Sequence, residues 1–213
     1  YDDENRLITV TIQKGNKTKE FSYAYDPFGR RISKTVIKDE INDDNSTKKT
    51  EYPQTTFYLY DNQNIIAEYD QNNQLTASYI YGPNIDEPLS ADIDNNRIYY
   101  HADGLGSITT LTNHMGHKVQ QYDYDSFGNI KSTPFWIKQP FTFTAREFDY
   151  ETGMYFYRAR YYDPQVGRFV TRDPIGFASE ELNLYAYVGN SPLNRTDPTG
   201  LKWVWYCKRR LAW

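Results

Sequence analysis

Length, composition and charge already exclude several classes of protein. The chain has 213 residues, and 21 tyrosines, 11 phenylalanines and 4 tryptophans make it 17% aromatic. Its single cysteine excludes an internal disulfide framework, and no run of 18 apolar residues is present to span a bilayer as a helix. The net charge is −4, and four basic residues among the last dozen leave −8 for residues 1–201, which excludes a specific nucleic-acid binder.

A strand followed by a turn recurs along the first part of the chain. The segments YAYDPFGR (23–30) and YDYDSFGN (122–129) share Tyr, Tyr, Asp, Phe and Gly at the same five positions, and looser copies begin at Tyr58, Tyr79 and Tyr99. Strand alternation puts both tyrosines of Tyr-x-Tyr on one face, and aromatic residues suit a pleated surface with partly solvated faces. The pattern therefore predicts an all-β fold built from repeated hairpins.

The turn of each repeat uses residues with well-defined backbone preferences. In the first copy the Asp26 side chain can bond its own backbone two residues on, Pro27 fixes φ, and Gly29 tolerates a positive φ. These residues are therefore predicted to be architectural. The polar segment Lys38–Glu51 has no apolar periodicity, and we predict a long exposed loop there.

The repeat pattern of the sequence breaks between residues 132 and 148, where Pro134, Trp136 and Pro140 precede the alternation FTFT. We therefore predict three regions, namely repeated hairpins over 1–132, a second region over 133–201 and a variable tail over 202–213. A dozen residues cannot fold alone, so the tail is predicted to hold no folded cargo.

The second region carries the most specific signature. Residues 141–177 read FTFTAREFDYETGMYFYRARYYDPQVGRFVTRDPIGF, and residues 183–201 read NLYAYVGNSPLNRTDPTGL. With the repeats of residues 1–130, these segments resemble a YD-repeat protein of the Rhs type, ending in its repeat-associated core. Tc-toxin C subunits, wall-associated YD-repeat proteins and, more distantly, teneurins belong to the same group.

The resemblance implies a fold and a task. Such proteins wind a ribbon of β-hairpins into a hollow shell, here closed by a mixed C-terminal plug containing one short helix. Because Tyr1 lies in mid-repeat, upstream YD repeats of the same shell are expected as a partner. The other implied partners are a C-terminal toxin cargo and an immunity protein or secretion-system component. The implied location is secreted or cell-envelope associated, and no cofactor is implied.

In many members an aspartyl autoprotease in the plug cuts the chain after the leucine of the final DPxGL. Here DPTGL begins at Asp197 and DPIGF begins at Asp173. The resemblance therefore implies that Asp173 and Asp197 make a single-turnover cut between Leu201 and Lys202. Arg172 is the neighbouring cation that could steady the Asp173 carboxylate.

Two carboxylates can hydrolyse a peptide when one is ionised and activates water while the other is protonated and donates a proton. We predict a short helix that begins with Ser179 as its N-cap and stops at the segment GNSP. Such a helix advances about 15 Å, and the seven following residues can return about 23 Å, so the two turns can face each other. Two departures from the family's pattern lie here, Phe177 for leucine and Ala178–Glu181 for a Gly-rich stretch.

The residues also allow other interpretations. Asp-Pro turns are ordinary, and Asp163 with Pro164 is one without proposed chemistry. The alternative function is a cell-surface YD-repeat module that binds carbohydrate or another cell without catalysis. His101 with Asp103 lacks further ligands, so no metal site is predicted. A nuclease would need a His-rich or acidic cluster after Leu201, and the sequence has none.

Overall fold

The chain forms two compact units, Tyr1–Ser78 and Tyr79–Trp213, in a computed structural model that describes residues 1–15, 17–41, 53–131 and 137–205. The predicted boundary at residues 132 and 133 lies outside the described residues, as does most of the predicted tail. The division between the two compact units falls within a strand of the repeat region.

The first unit is an antiparallel meander in which each strand pairs with the next along the chain. Its strands are β1 (Thr9–Lys14), β2 (Lys17–Tyr25), β3 (Arg31–Ile41), β4 (Gln54–Asp61), β5 (Asn64–Tyr69) and β6 (Leu75–Tyr81), the last of which crosses into the second unit. The predicted loop over Lys38–Glu51 is wrong at its start, because residues 38–41 extend β3 and pair with residues 17–20 of β2. Residues 42–51 lie outside the description.

The second unit contains a further meander and two smaller antiparallel sheets. The meander consists of β7 (Pro88–Ile93), β8 (Asn96–Ala102), β9 (Ile108–Asn113) and β10 (Lys118–Gln121). The smaller sheets consist of β11 (Glu147–Asp149), β12 (Met154–Tyr157), β13 (Arg160–Asp163) and β14 (Arg168–Phe169), and of β15 (Arg195–Thr196) with β16 (Val204–Trp205). The described residues thus confirm the predicted all-β fold, and none of their helices is long and apolar enough to cross a membrane.

The helices of the described residues are three short 3-10 turns, at Phe143–Ala145, Gly176–Ser179 and Val188–Asn190. The predicted helix starting at Ser179 is therefore wrong. The chain leaves the helical region immediately, since Glu180 has φ 67°, and Leu182 is 94% exposed instead of packing on a helical face. The segment bonds to a neighbouring strand end, because the backbone N–H of Phe169 donates to the Tyr185 carbonyl at 2.9 Å.

The turn chemistry predicted for the repeats is confirmed and recurs with one geometry. Asp26 Oδ1 accepts the backbone N–H of Phe28 at 2.9 Å and of Arg30 at 3.0 Å, and the Asp26 carbonyl accepts the N–H of Gly29 at 3.0 Å. Gly29 has φ 77°, which glycine adopts at little cost. The same three bonds, to residues two, four and three positions on, form at Asp2, Asp70, Asp103, Asn113 and Asp125.

The core of the second unit is built largely from tyrosine. Its buried cluster consists of Phe143, Tyr155, Tyr157, Tyr162, Phe169, Tyr187 and Val188. Most of these rings meet edge to face or tilted, as their quadrupoles favour. The hydroxyls are paired inside the core, because the Tyr157 hydroxyl lies 2.9 Å from that of Tyr187 and 2.8 Å from Thr144 Oγ1. The tyrosines here are therefore core residues, and the expected partly solvated faces do not apply to them.

Candidate active site: two aspartates joined by a buried arginine

The two candidate aspartates each begin a turn. Asp173 follows β14, its Oδ1 accepts the N–H of Ile175 at 3.0 Å, and its own N–H donates to the Leu184 carbonyl at 3.0 Å. The second aspartate, Asp197, follows β15. Its Oδ1 accepts three consecutive backbone N–H groups, those of Thr199 at 3.3 Å, Gly200 at 2.9 Å and Leu201 at 3.2 Å. The turn that carries the predicted cleavage site is thus folded around a carboxylate.

One arginine joins the two turns. Arg160 Nη2 lies 3.0 Å from Asp173 Oδ2 and 3.6 Å from Asp197 Oδ2, so these two oxygens are no more than 6.6 Å apart, the sum of those distances. The three side chains are buried, with 3%, 4% and 3% of their surfaces exposed for the arginine and the two aspartates. The structure therefore brings together the two aspartates that the sequence analysis singled out.

The hairpin between β12 and β13 holds the turn that follows Asp197. Three successive hairpin residues donate to three successive carbonyls of that turn: the guanidinium of Arg158 to Pro198, the backbone N–H of Ala159 to Thr199 at 3.2 Å, and Nε of Arg160 to Gly200. The predicted cleavage segment, residues 198–202, is therefore fixed against a two-residue hairpin turn, and Arg160 contacts both the carboxylates and this segment.

Gly200 is required at its position for two reasons. Its φ is 71°, in the left-handed region, and a Cβ built on it would lie 2.2 Å from the backbone oxygen of Tyr157. Backbone can approach backbone this closely only where no side chain intervenes. The glycine of the DPTGL motif thus seats the cleavage segment on the hairpin.

The charges of this cluster do not balance. Burial lowers the pKa of the Arg160 guanidinium, although the carboxylates of Asp173 and Asp197 oppose that effect. Burial raises the pKa of Asp197, while Arg160 and the backbone N–H groups of Gly200, Leu201 and Thr199 counteract it. One cation faces two carboxylates away from water, so uptake of a single proton neutralises the cluster. The arrangement favours one ionised and one protonated carboxyl group.

The raised pKa of Asp197 gives a prediction about pH. The folded chain holds a proton on this carboxyl more tightly than the unfolded chain, so the free energy of unfolding falls as pH rises from the ordinary pKa of 3.8 through the raised value. Asp197→Asn removes this titration, and we expect the wild type to lose stability relative to the variant over that range. Urea unfolding of both proteins at a series of pH values measures the difference, and parallel pH dependences would contradict it.

The remaining predicted site residues lie around this cluster. Arg172 is exposed, and the cation that contacts Asp173 is Arg160, which sequence reasoning missed. In the sequence, the sign that could have pointed to Arg160 is its charge within the aromatic segment YRARYY (157–162). Leu201 is half-buried, and Lys202 is exposed with its Nζ 2.7 Å from Glu180.

Residues 203–205, just after the predicted cleavage site, pack on the second unit. β16 pairs with β15, with Arg195 opposite Trp205 and Thr196 opposite Val204. The Arg195 guanidinium lies 3.8 Å from the centre of the Trp203 ring and 4.3 Å from that of Trp205. Trp203 also packs against the tyrosine core. Two indole rings and a short strand thus hold residues 203–205.

His101 and Asp103 form structural hydrogen bonds within the repeat region. His101 Nε2 lies 2.9 Å from Thr112 Oγ1, and Asp103 closes one of the recurring turns. Within the parts of the chain that the structure describes, no group of three or more His, Cys, Asp or Glu side chains could hold a metal ion.

Comparisons with known proteins extend over nearly the whole chain. The model of the teneurin YD-shell family matches residues 1–193. The tRNA nuclease WapA of Bacillus subtilis strain 168 is 35% identical over 211 residues, which cover 96% of this chain and 8% of that protein. The double-stranded DNA deaminase toxin A of Burkholderia cenocepacia strain H111 is 30% identical over 224 residues, covering 94% of this chain and 15% of that protein.

A solved structure shows the same fold. The crystal structure of TcdB2-TccC3-TEV superposes with a TM-score of 0.73 at 23% identity, covering 94% of this chain and 10% of that one. The chain thus spans less than a fifth of the length of each of these proteins. The family match confirms the resemblance carried by the repeats and the core motifs, and the chain belongs to the teneurin YD-shell family.

Proposed function

We propose that this chain is a shell segment of an Rhs-type toxin delivery protein that encloses a C-terminal cargo and releases it by cutting itself once between Leu201 and Lys202. The observation that carries the proposal is the single nitrogen of Arg160 that contacts both buried carboxylates, while the same guanidinium binds the Gly200 carbonyl. The Arg160 side chain therefore contacts both candidate catalytic carboxylates and the segment that would be cut.

The distance from the carboxylates to the scissile bond supports this chemistry. The Leu201 N–H donates to Asp197 Oδ1 at 3.2 Å, and the carbonyl carbon of a residue lies about 2.5 Å from its own nitrogen. The reacting carbon is therefore within about 6 Å of Asp197 Oδ1, which places the proposed acid near the carbonyl group that it would protonate.

The proposed reaction is a hydrolysis by the coupled pair. The ionised carboxylate takes a proton from water, the water oxygen bonds to the Leu201 carbonyl carbon, and the protonated carboxyl donates to the carbonyl oxygen. The bond to the Lys202 nitrogen then breaks, and the amine leaves with the proton that the base took from water. One hydroxyl of the tetrahedral intermediate returns its proton to the acid, which leaves the Leu201 carboxyl group and restores both side chains. The raised pKa of Asp197 favours it as donor, with Asp173 as base. Because the two groups titrate together, a pH profile belongs to the pair.

The proposed cargo and location draw on the relatives. The two matched relatives are named as a nuclease and a toxin, and this chain corresponds to only 8% and 15% of their lengths. A toxin has to reach another cell, so we place the parent protein outside the cell or in its envelope. Its proposed partners are upstream YD repeats, a C-terminal toxin, and an immunity protein or secretion-system component.

Intact-mass spectrometry of the purified chain tests self-cleavage. We expect the wild type to lose residues 202–213, while Asp173→Asn and Asp197→Asn stay full length, because an amide can neither carry the negative charge nor exchange the proton. The matched control is Asp163→Asn, which changes a third Asp-Pro turn whose carboxylate accepts the N–H of Gln165. This variant should be cut like the wild type.

Two results would contradict the proposal. A folded wild type that keeps its last dozen residues would leave the aspartates as turn residues and favour the non-catalytic binding module. Loss of the tail from the two asparagine variants at the wild-type rate would show that another agent makes the cut.

A further inference from the structure

We infer that Asp86, in the loop between β6 and β7, is a positioning residue that holds the cleavage turn through Arg158. The inference rests on the proposed self-cleavage for its functional consequence. Asp86 lies far from the site in sequence, and it does not contact the candidate catalytic carboxylates. It acts through a second buried ion cluster, which contains Arg146 and Arg158.

The geometry of this second cluster is specific. Asp86 Oδ1 lies 2.6 Å from Arg146 Nη1 and 2.7 Å from Arg158 Nη2, and Asp86 Oδ2 lies 3.3 Å from Arg158 Nη1. The same Nη1 of Arg158 donates to the Pro198 carbonyl. One carboxylate therefore accepts from two guanidiniums, and one of these guanidiniums binds the residue that follows Asp197.

Arg146 is the fixed member of the cluster. It is buried, and its Nε and Nη2 donate to the Phe156 carbonyl at 3.3 and 3.1 Å. Its guanidinium also lies 5.6 Å from the centre of the Tyr157 ring. Since Arg146 is anchored to β12, Asp86 docks Arg158 onto an already rigid frame.

Arg158 is the strained member of the cluster, and its carboxylate hydrogen-bond partner is Asp86. Its backbone has φ 56°, which is unfavourable for a residue with a side chain. Burial and the nearby positive charge of Arg146 both lower its pKa, while the Asp86 carboxylate opposes them. The buried Glu147 carboxylate, 4.0 Å from Arg146 Nη2, also opposes the loss of charge, but no hydrogen bond joins it to Arg158. Without Asp86 a single carboxylate would therefore serve two buried guanidiniums, so we expect Arg158 to leave the cluster and release the Pro198 carbonyl.

Amide exchange tests the positioning without relying on cleavage. In the uncut Asp173→Asn background, we expect Asp86→Asn to increase hydrogen exchange about tenfold at the N–H groups of Ala159 and Gly200, which bridge or line the cleavage turn. The matched control is Asp92→Asn, since Asp92 pairs with Arg97 on the exposed β7–β8 hairpin. Unchanged exchange in the Asp86 variant would overturn the inference.

The rate of self-cleavage tests the consequence. Asp86→Asn and Arg158→Met are each expected to slow the first-order appearance of the cut chain about tenfold or more, with an unchanged pH profile. The double variant should be no slower than Arg158→Met alone, because both changes break one link. Additive slowing, or a shifted pH profile, would show that Asp86 acts by another route.

The exchange and cleavage experiments together distinguish a failure of this inference from a failure of the proposed function. If Asp173→Asn blocks cleavage but Asp86→Asn cuts at the wild-type rate, only the role of Asp86 fails. If the wild type itself is never cut, the proposed function fails, and amide exchange still decides whether Asp86 holds the turn. Should Asp86→Asn not fold, Arg158→Met breaks the same link from its other end and is subject to the same measurements.

Discussion

Replacing Arg160 by methionine is expected to lower the free energy of unfolding by about 3–5 kcal/mol at neutral pH, because it leaves the buried negative charge of the aspartate pair without a counter-ion. Methionine fills a similar volume and keeps the apolar contact with the Phe169 ring, whose centre lies 3.6 Å from the guanidinium carbon. The loss should shrink on acidification, since Asp197, whose pKa is raised by burial, then holds a proton and the cluster carries less negative charge. Urea unfolding at neutral and acidic pH measures both effects.

The matched control is Arg172→Met, at the exposed arginine beside Asp173 in sequence. An exposed side chain outside the cluster should change stability by no more than about 0.5 kcal/mol. Equal destabilisation by the two substitutions would contradict the view that Arg160 is the cation of the site. A loss at Arg160 that did not depend on pH would mean that its packing, and not its charge, stabilises the turns.

The second large effect is expected for Gly200→Ala. The added Cβ would lie 2.2 Å from the Tyr157 backbone oxygen and 3.2 Å from the Arg160 backbone nitrogen, so the turn must move away from the hairpin. We expect a loss of at least about 2 kcal/mol, from the positive φ and from weakened hydrogen bonds. A displacement of the scissile bond by about 1 Å should also slow self-cleavage roughly 100-fold.

Gly116→Ala separates the contact from the backbone conformation. Gly116 has φ 80°, similar to that of Gly200, but a Cβ there would meet nothing within 4 Å. This variant should lose only about 1 kcal/mol and be cut at the wild-type rate. Urea unfolding and a time course of intact mass compare the two alanine variants, and similar results for both would rule out the close approach as the cause.

Local patterns in the sequence were sufficient to predict the repeats. Tyr-x-Tyr followed by Asp-x-x-Gly needs only the alternation of a strand and a side chain that bonds its own backbone, so the turn at Asp26 could be read directly. The first part of the polar segment at Lys38 could not, because its strand pairs with residues 17–20, and that pairing depends on distant residues.

The sequence was sufficient to single out the two aspartates of the candidate site, but not the elements and contacts that bring them together. The helix predicted after Ser179 followed from apolar spacing, yet Leu182 faces solvent and the segment bonds to the end of β14. Arg160 was missed because its partners lie 13 and 37 residues further along the chain, and no local spacing reports such a contact. Asp86 was missed for the same reason.

Because β16 pairs with β15, cleavage of the chain and dissociation of the two resulting pieces would be separate events. A cut between Leu201 and Lys202 creates a free amine at the start of a segment whose two indole rings still enclose Arg195 and whose strand still pairs with its neighbour. The new end would thus begin as a docked peptide, held by contacts that form and break reversibly. If the proposed hydrolysis takes place, it would set when the two pieces become able to separate, and the tryptophan contacts would set how fast they do.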